Sequence, residues 1–362
     1  MTGVVVVALV GYLWLAGNKI GTETTGGASL AGGKKGYSLE TFADRLGGNP
    51  RVLEFDRNWV LVASVTDAGK VVVLPDLNRD GRADQVIDLI TGLKNPHGIA
   101  FWKNWIYVAE TNQVSRFVYN PDNLSVGKRE RLFELPDSGG HFTRTIRFID
   151  NKLYVSVGSS CNVCVENDKR RAVLLVSEPD GSDIKIFATG LRNTVFFVEH
   201  AGKIYGSDMG RDMLGDSLPP EEINVIERGG NYGWPSCYGN GVPDPEFADN
   251  ADCSRSVNPV LKLPAHVAPL GLRFVSSAKF PPEWQGDLLV ALHGSWNSSV
   301  KVGYKIIRIK LKSEGFTDVS DFVGGFIVNE DVTGRPVDLI FNNEGDLFVS
   351  DDKRGAIFRV RI

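Results

Sequence analysis

The chain has 362 residues, 42% of them hydrophobic and 23% charged, with 40 glycines, 17 prolines and a formal net charge of -4. This is the composition of an ordinary globular protein with many turns between short strands, and it indicates no helical domain. With no basic cluster beyond the Lys169 to Arg171 triplet, it argues against nucleic acid as a partner.

The N-terminus differs from everything after it. Val4 to Leu15 is an apolar run of secretory length, shorter than the roughly 20 residues a membrane span needs. It predicts an export signal or a short membrane anchor over residues 1–20, with a first buried strand as the rival reading. No Lys or Arg precedes the run, and Trp14 spoils a small-x-small cleavage site before Ala16. Residues 21–36 are rich in Gly, Thr and Ser, which is linker composition. The folded part is therefore expected to begin near Tyr37, outside the cytoplasm, either tethered or released.

From there one phrase recurs six times: an apolar run ending in Phe, a short turn, a Leu/Tyr/Val strand, an acid-bearing loop, and a further strand. The copies are Val52 to Leu74, His97 to Tyr119, Thr143 to Val176, Val195 to Ile226, Leu270 to Lys310 and Pro336 to Val360. A period of about 50 residues carried by alternating apolar positions is the signature of propeller blades. The prediction is an all-β, six-bladed β-propeller with four-stranded antiparallel blades over residues 37–362, counted as one domain because repeats share a continuous set of interfaces.

Alignment of the copies locates a site. Each blade runs from its inner to its outer strand, so the loop entering the innermost strand shares a face with the loop joining the second and third. The residues just before each innermost strand are Arg51, His97, His141, Arg192 with Asn193, His266 and Arg335. Every copy carries Arg or His there, and His293 falls in a second-to-third-strand loop on the same face. Singly, each is an unremarkable turn residue. Together at one channel mouth they would repel one another, so an anionic or polar ligand is expected among them, with carboxylates suited to the forks of Arg192 and Arg335. Long insertions at Gly158 to Arg171, Asp208 to Pro220 and His293 to Gly303 mark the same face as the working one.

Two segments have the composition of cation loops. Asp76, Asn78 and Asp80, followed by Gly81 and Asp84, match the start of a calcium loop, although Ile87 stands where the twelfth-position Glu is expected; a plain Asp/Asn/Gly turn is the alternative. In the fourth blade, Ser207 to Asp212, Glu221-Glu222-Ile223-Asn224 and Gly229 to Pro235 combine carboxylates with carbonyl-exposing turns, which also suits calcium, or a solvated acidic loop. Cys161 and Cys164, and Cys237 and Cys253, allow three pairings, of which two local disulfides are the simplest in an oxidising compartment. A zinc site is the rival, and no His lies at short spacing from either pair.

At these residues the chain resembles the soluble quinoprotein glucose dehydrogenase and L-sorbosone dehydrogenase family. The motifs are Gly139-Gly140-His141 leading to Phe148, Gly190-Leu191-Arg192-Asn193, Glu222-Ile223-Asn224 through Gly230 to Pro235, and Gly334-Arg335 with Asp338. The resemblance covers roughly Leu46 to the C-terminus. It implies a six-bladed propeller that oxidises an aldose or related sugar at its anomeric carbon with pyrroloquinoline quinone (PQQ) and calcium, and hands the electrons to a quinone or other acceptor. It makes His141 the general base, assisted by Arg192. Arg192, Asn193, His266, His293 and Arg335 become cofactor ligands, and the carbonyls of Gly210 and Arg211, with Glu222, calcium ligands. A His is suited to the base role because its ordinary pKa lies close to neutrality.

Three positions depart from the family pattern. His293 stands where a Lys is usual, Val195 replaces a Gln beside the Arg-Asn pair, and Val337 replaces a second cofactor-contacting Arg. Two rival functions are a calcium-dependent propeller lactonase and a non-catalytic extracellular sugar-binding propeller. His97 is assigned only a place near the substrate entrance.

Overall fold

Strands covered on both faces read as nearly continuous apolar runs, and that is how the repeats are written. In Leu61–Val65 all five residues are buried. Leu61, Ala63 and Val65 pack toward one neighbouring sheet and Val62 toward the other, as the two-residue period of a strand requires.

In the computed structural model, residues 37–361 apart from residue 314 are described. The segments read as an export signal and a linker, residues 1–36, lie outside the described residues. Six antiparallel sheets form the ring, each a four-stranded path, with the short strand Ser125–Val126 added beside the third strand of one of them. Their innermost strands are Pro50–Phe55, Gly98–Trp102, Ile146–Ile149, Thr194–His200, Pro269–Phe274 and Pro336–Phe341. These define blades one to six. Closure uses both ends of the chain: Ser38–Ala43 pairs antiparallel with Ala356–Arg361 and so supplies the outermost strand of blade six.

Six apolar clusters hold the blades, each straddling two successive sheets. A seventh lies on the axis, where Val52, Val195, Phe196, Leu270 and Val337 meet from four inner strands. It plugs the channel and becomes the floor of whatever lies above it. On its far side a charged layer crosses the axis, with Arg147 Nη1 2.5 Å from Glu54 Oε2 and Arg147 Nη2 4.0 Å from Asp338 Oδ2.

Both short-range disulfides form, Cys161–Cys164 and Cys237–Cys253, and no free cysteine occurs among the described residues. The zinc alternative is thereby overturned, because no thiolate is left to serve as a ligand. Two small hairpins went unnoticed in the repeat: Cys237–Tyr238 with Val242–Pro243, and Ile327–Val328 with Asp331–Val332. Both sit in connections between regular strands.

Candidate functional site

Above the apolar plug lies a cavity of about 430 Å³. Arg51, His141, Arg192, Asn193, His266, His293 and Arg335 all line it, with Val195 and Leu270 as its floor. Val195 and Val337, the positions at which the resemblance leads to an expectation of Gln and Arg, pack in the apolar cluster beneath the site.

His97 is the ring member that does not reach the cavity. Its backbone N–H already bonds to the Ala109 carbonyl within the sheet, which sets it deeper than its counterparts. Fully buried, it packs edge-on against Phe196 at 5.5 Å, with Nδ1 3.2 Å from Thr145 Oγ1. It belongs to the plug and not to a substrate entrance.

His141 is held from two directions. Its Nδ1 lies 3.0 Å from the Ser159 carbonyl and 2.9 Å from Ser159 Oγ, and its own carbonyl accepts from Arg144 Nη1 at 2.9 Å and Arg171 Nη1 at 3.2 Å. Donation from Nδ1–H to Ser159 fixes the tautomer that leaves the Nε2 lone pair for the cavity. Gly158 makes the close packing feasible, since a Cβ there would fall 2.8 Å from His141 Cβ and 2.7 Å from Asn193 Oδ1. Burial, and then the nearby Arg192 charge, pull the imidazole pKa down to about 3. At neutral pH His141 is an uncharged acceptor.

Arg192 and Asn193 sit on the turn into blade four. Asp208, on the adjacent strand, accepts the backbone N–H of Arg192 at 3.0 Å and of Asn193 at 2.7 Å, and Thr194 Oγ1 at 3.0 Å. The guanidinium of Arg192 donates from Nε to the Asn162 carbonyl at 2.8 Å, from Nη2 to Asn162 Oδ1 at 2.8 Å, and from Nη1 to the Gly210 carbonyl at 2.7 Å. Asp212 lies 3.5 Å from Nη2. This arginine is oriented by protein groups before any ligand arrives.

Across the cavity, Arg51 Nη1 pairs with Asp352, which also lies 2.9 Å from His293 Nε2. His293 Nδ1 is 3.3 Å from Arg335 Nη1, so Nε2–H donates to Asp352 and Nδ1 accepts from Arg335. Burial keeps His293 below its ordinary pKa despite Asp352. It therefore relays between Asp352 and Arg335 and presents no second ammonium-like charge. Arg335 also donates to the carbonyls of Gly294 at 2.9 Å and Ser295 at 3.1 Å. His266, at a positive φ of 65°, bonds through Nε2 to the Gly215 carbonyl at 2.8 Å, which leaves its ring at the cavity wall with that nitrogen committed.

The metal-ligand expectations divide. Gly210 lines the cavity; Arg211, expected to offer its backbone carbonyl, is not among the lining residues, and its side chain pairs with Asp244 at 2.9 Å and Glu246 at 2.7 Å, a pairing that does not involve the carbonyl. Successive strand residues face opposite ways. So Glu221 lines the cavity, while Glu222 faces Asn224 Nδ2 at 3.1 Å and the Gly239 N–H at 2.7 Å. Burial pushes Glu221 up to about 8, Glu222 to about 7 and Asp208 to about 6. Burial outweighs the nearby Arg192 charge at Glu221 and Asp208 and the Lys262 charge at Glu222, and the carboxyl oxygens are the hard donors that calcium prefers. Asp76, Asn78 and Asp80 lie elsewhere. Their loop joins a third strand to a fourth, on the face opposite the cavity, and closes on itself: Asp76 accepts from Gly81 N at 2.9 Å, Asn78 from Asp80 N at 2.9 Å and Asp80 from Arg82 N at 2.8 Å.

Asn297 and the flanking aromatics Phe142 and Trp296 reach the cavity without any motif, whereas Asp212 and Glu221 come from the fourth-blade segments of cation-loop composition, though no motif singles them out. Trp296 is 71% exposed at the rim, an unusual position for a large apolar ring.

A family profile described as TrAA12-like matches residues 32–362. An uncharacterised protein of Borreliella burgdorferi is 39% identical over 218 residues, spanning 58% of this chain and 57% of the relative. A pyrroloquinoline quinone-dependent pyranose dehydrogenase of Coprinopsis cinerea is 26% identical over 294 residues, spanning 61% of this chain and 39% of the relative. The chain thus covers less than two thirds of either relative's length. The calcium structure of the Trichoderma reesei carbohydrate-active enzyme of family AA12 superposes with a TM-score of 0.78 at 24% identity, over 91% of this chain and 96% of that one. That likeness establishes the six-bladed ring.

Proposed function

The chain belongs to the TrAA12-like family, and from that membership and the cavity's geometry we propose that it is an exported, PQQ- and calcium-dependent dehydrogenase. Its substrate is an aldose or related sugar, oxidised at the anomeric carbon. The observation that carries this reading is a single mouth cavity in which an uncharged His141, its Nε2 free, faces Arg51, Arg192, Arg335, Asn193 and Asn297.

The residues fit the cofactor. A volume of about 430 Å³ suits a compact ligand. Arg51 Nε and Asn297 Oδ1 are buried and without a hydrogen-bond partner among the described residues, which is the state of groups awaiting a ligand. Arg51, Arg192, Arg335, Asn193 and Asn297 would hold the carboxylates and carbonyls of PQQ, and Glu221 with the Gly210 carbonyl, which also accepts Arg192 Nη1 at 2.7 Å, would hold calcium. When bound, the two groups supply a hydride acceptor and a Lewis acid.

The chain's own residues do the rest. His141 Nε2 takes the proton of the sugar hydroxyl as the anomeric C–H is oxidised, and the Ser159 carbonyl holds Nδ1–H throughout. The apolar plug closes the channel to water from below. Phe142 and Trp296 at the rim offer the apolar faces on which sugar C–H groups rest. Electrons leave to a quinone or other acceptor at the open mouth. Two disulfides require an oxidising compartment, which supports export, with the N-terminal run as signal or tether.

Purified protein reconstituted with PQQ and calcium is expected to reduce a dye with at least one of a panel of aldoses. Absence of dye reduction with every sugar, together with no spectral change in the cofactor, overturns the proposal. Lactone hydrolysis without PQQ would replace it with the hydrolase reading.

A further inference from the structure

The second-to-third-strand loop of blade three is closed into a small ring by the Cys161–Cys164 disulfide, and that ring carries Asn162 against blade four. Asn162 makes five hydrogen bonds there. Its carbonyl accepts Arg192 Nε at 2.8 Å and Trp234 Nε1 at 3.3 Å; its Oδ1 accepts Arg192 Nη2 and the Asp212 N–H, each at 2.8 Å; its Nδ2 donates to the Asp212 carbonyl at 3.1 Å. The same ring touches the base: Ser159 Oγ donates to the Cys161 carbonyl at 2.7 Å, and Ser159 in turn orients His141.

We propose that Asn162, presented by the Cys161–Cys164 ring, is the positioning residue that sets the Arg192 guanidinium in the cofactor cavity, so that the site is competent only while this disulfide is intact. Asn162 does not itself line the cavity. Its effect passes through Arg192 and through Asp212, whose Oδ1 accepts Asn297 Nδ2 at 2.9 Å, so a single side chain orders groups from blades four and five. Backbone and side chain of Asn162 bind one guanidinium as a fork, which requires fixed φ, ψ and χ angles; a four-residue disulfide ring restricts those torsions. Opening it needs only a dithiol reductant, which takes the disulfide to two thiols while being oxidised to its own disulfide. A ring this short also constrains little of the unfolded chain, so its loss should change local geometry more than global stability.

This inference rests on the PQQ reading above, and the test separates the two. PQQ binding to the full-length protein is titrated by quenching of tryptophan fluorescence, beside melting of the cofactor-free protein. In Asn162→Ala, buried Arg192 and Asp212 donors lose their acceptor, and PQQ binding is expected to weaken about tenfold or more. In Asn162→Asp, which keeps the acceptor for Arg192, binding should stay near that of the parent. Cys161→Ser/Cys164→Ser should weaken binding as Asn162→Ala does, with the melting temperature of the cofactor-free protein little changed. Parent-like binding in Asn162→Ala or in the serine pair overturns the inference, as does an Asn162→Asp loss as large as that of alanine. A parent protein that binds no PQQ overturns the functional reading and this inference with it.

Discussion

Replacing His141 with Gln tests the reaction chemistry most directly. Gln preserves a side chain that can bond to Ser159 but has no basic nitrogen, so the loss isolates proton transfer. Removing a general base costs roughly 10²- to 10⁴-fold in rate, or about 3–5 kcal/mol of barrier. The structure adds a pH signature. Burial is the main cause of the low His141 pKa, about 3 in the ligand-free cavity, and the Arg192 charge is the second. A bound anionic cofactor would offset Arg192 and leave the burial in place. The acidic limb of kcat/KM assigned to His141 should therefore fall between 3 and the ordinary value near 6.5, below pH 5 if burial dominates. The same depression is a stability term. As pH drops below 6.5 the unfolded chain takes up a proton that folded His141 refuses, so stability is lost toward pH 3, and the Gln variant should lose less of it. Stopped-flow reduction of the PQQ-loaded protein by sugar, from pH 3 to 8 with brief pH jumps at the acid end, reads both the rate and its limb. A Gln variant within tenfold of the parent, or a limb near 6.5 that vanishes in the variant, would refute the reasoning.

Three further outcomes follow from the geometry. Glu221 has a folded pKa of about 8 against an ordinary value near 4.5, so the folded state holds a proton that the unfolded chain has released. Between pH 7 and 8, above the Asp208 and Glu222 values and clear of the His141 window, the metal-free protein should lose stability as pH rises; Glu221→Gln should flatten that slope in calorimetry with a chelator present, and calcium should stabilise the parent more at pH 8 than at pH 7. Asp352→Asn leaves Arg51 and His293 without the carboxylate they share, and because Asp352 keeps some exposure the cost is put at about 2 kcal/mol, read as a lower denaturation midpoint with weaker PQQ binding. Deleting residues 37–43 strips the outer strand from blade six and uncovers partners of the buried Leu39 and Phe42, each worth about 1.5–3 kcal/mol, so a sharply lower melting temperature is expected.

The ring and its mouth were legible because they follow from periodicity. Once six copies align, the position before each inner strand is fixed, and Arg51, His141, Arg192, His266 and Arg335 all reach one cavity. His97 shows where alignment fails: a shift of depth within the sheet carries a side chain from the cavity into the plug, and spacing does not encode it. Glu221 and Glu222 show the same limit across a strand. Both have identical composition signals, and only the pleat decides that Glu221 faces the cavity while Glu222 bonds to Asn224. Asn162 was hidden for a different reason. It acts across a blade boundary, and nothing in its own repeat registers the arginine that it holds; the one available signal was its place between two cysteines.

The most consequential difference concerns charge. Sequence alone places six cationic or imidazole groups around one mouth and infers that a ligand must compensate them. Much of that compensation is internal. Asp352 answers Arg51, Asp212 stands 3.5 Å from Arg192, and burial keeps His141 and His293 below their ordinary pKa values. Three guanidinium groups stand against Asp352, Asp212 and Asp208, the last pushed up only to about 6 and so ionised at neutral pH, while Glu221, at about 8, is protonated. A cavity so nearly balanced does not draw in an anion by charge alone. It selects for a ligand that can insert into existing pairs, meeting Arg51 Nε and Asn297 Oδ1 where no protein partner stands, and it leaves room for a cation that would ionise Glu221 as it binds. Under the function proposed above, PQQ and calcium would bind cooperatively, each supplying the opposite charge that the other's arrival leaves uncompensated.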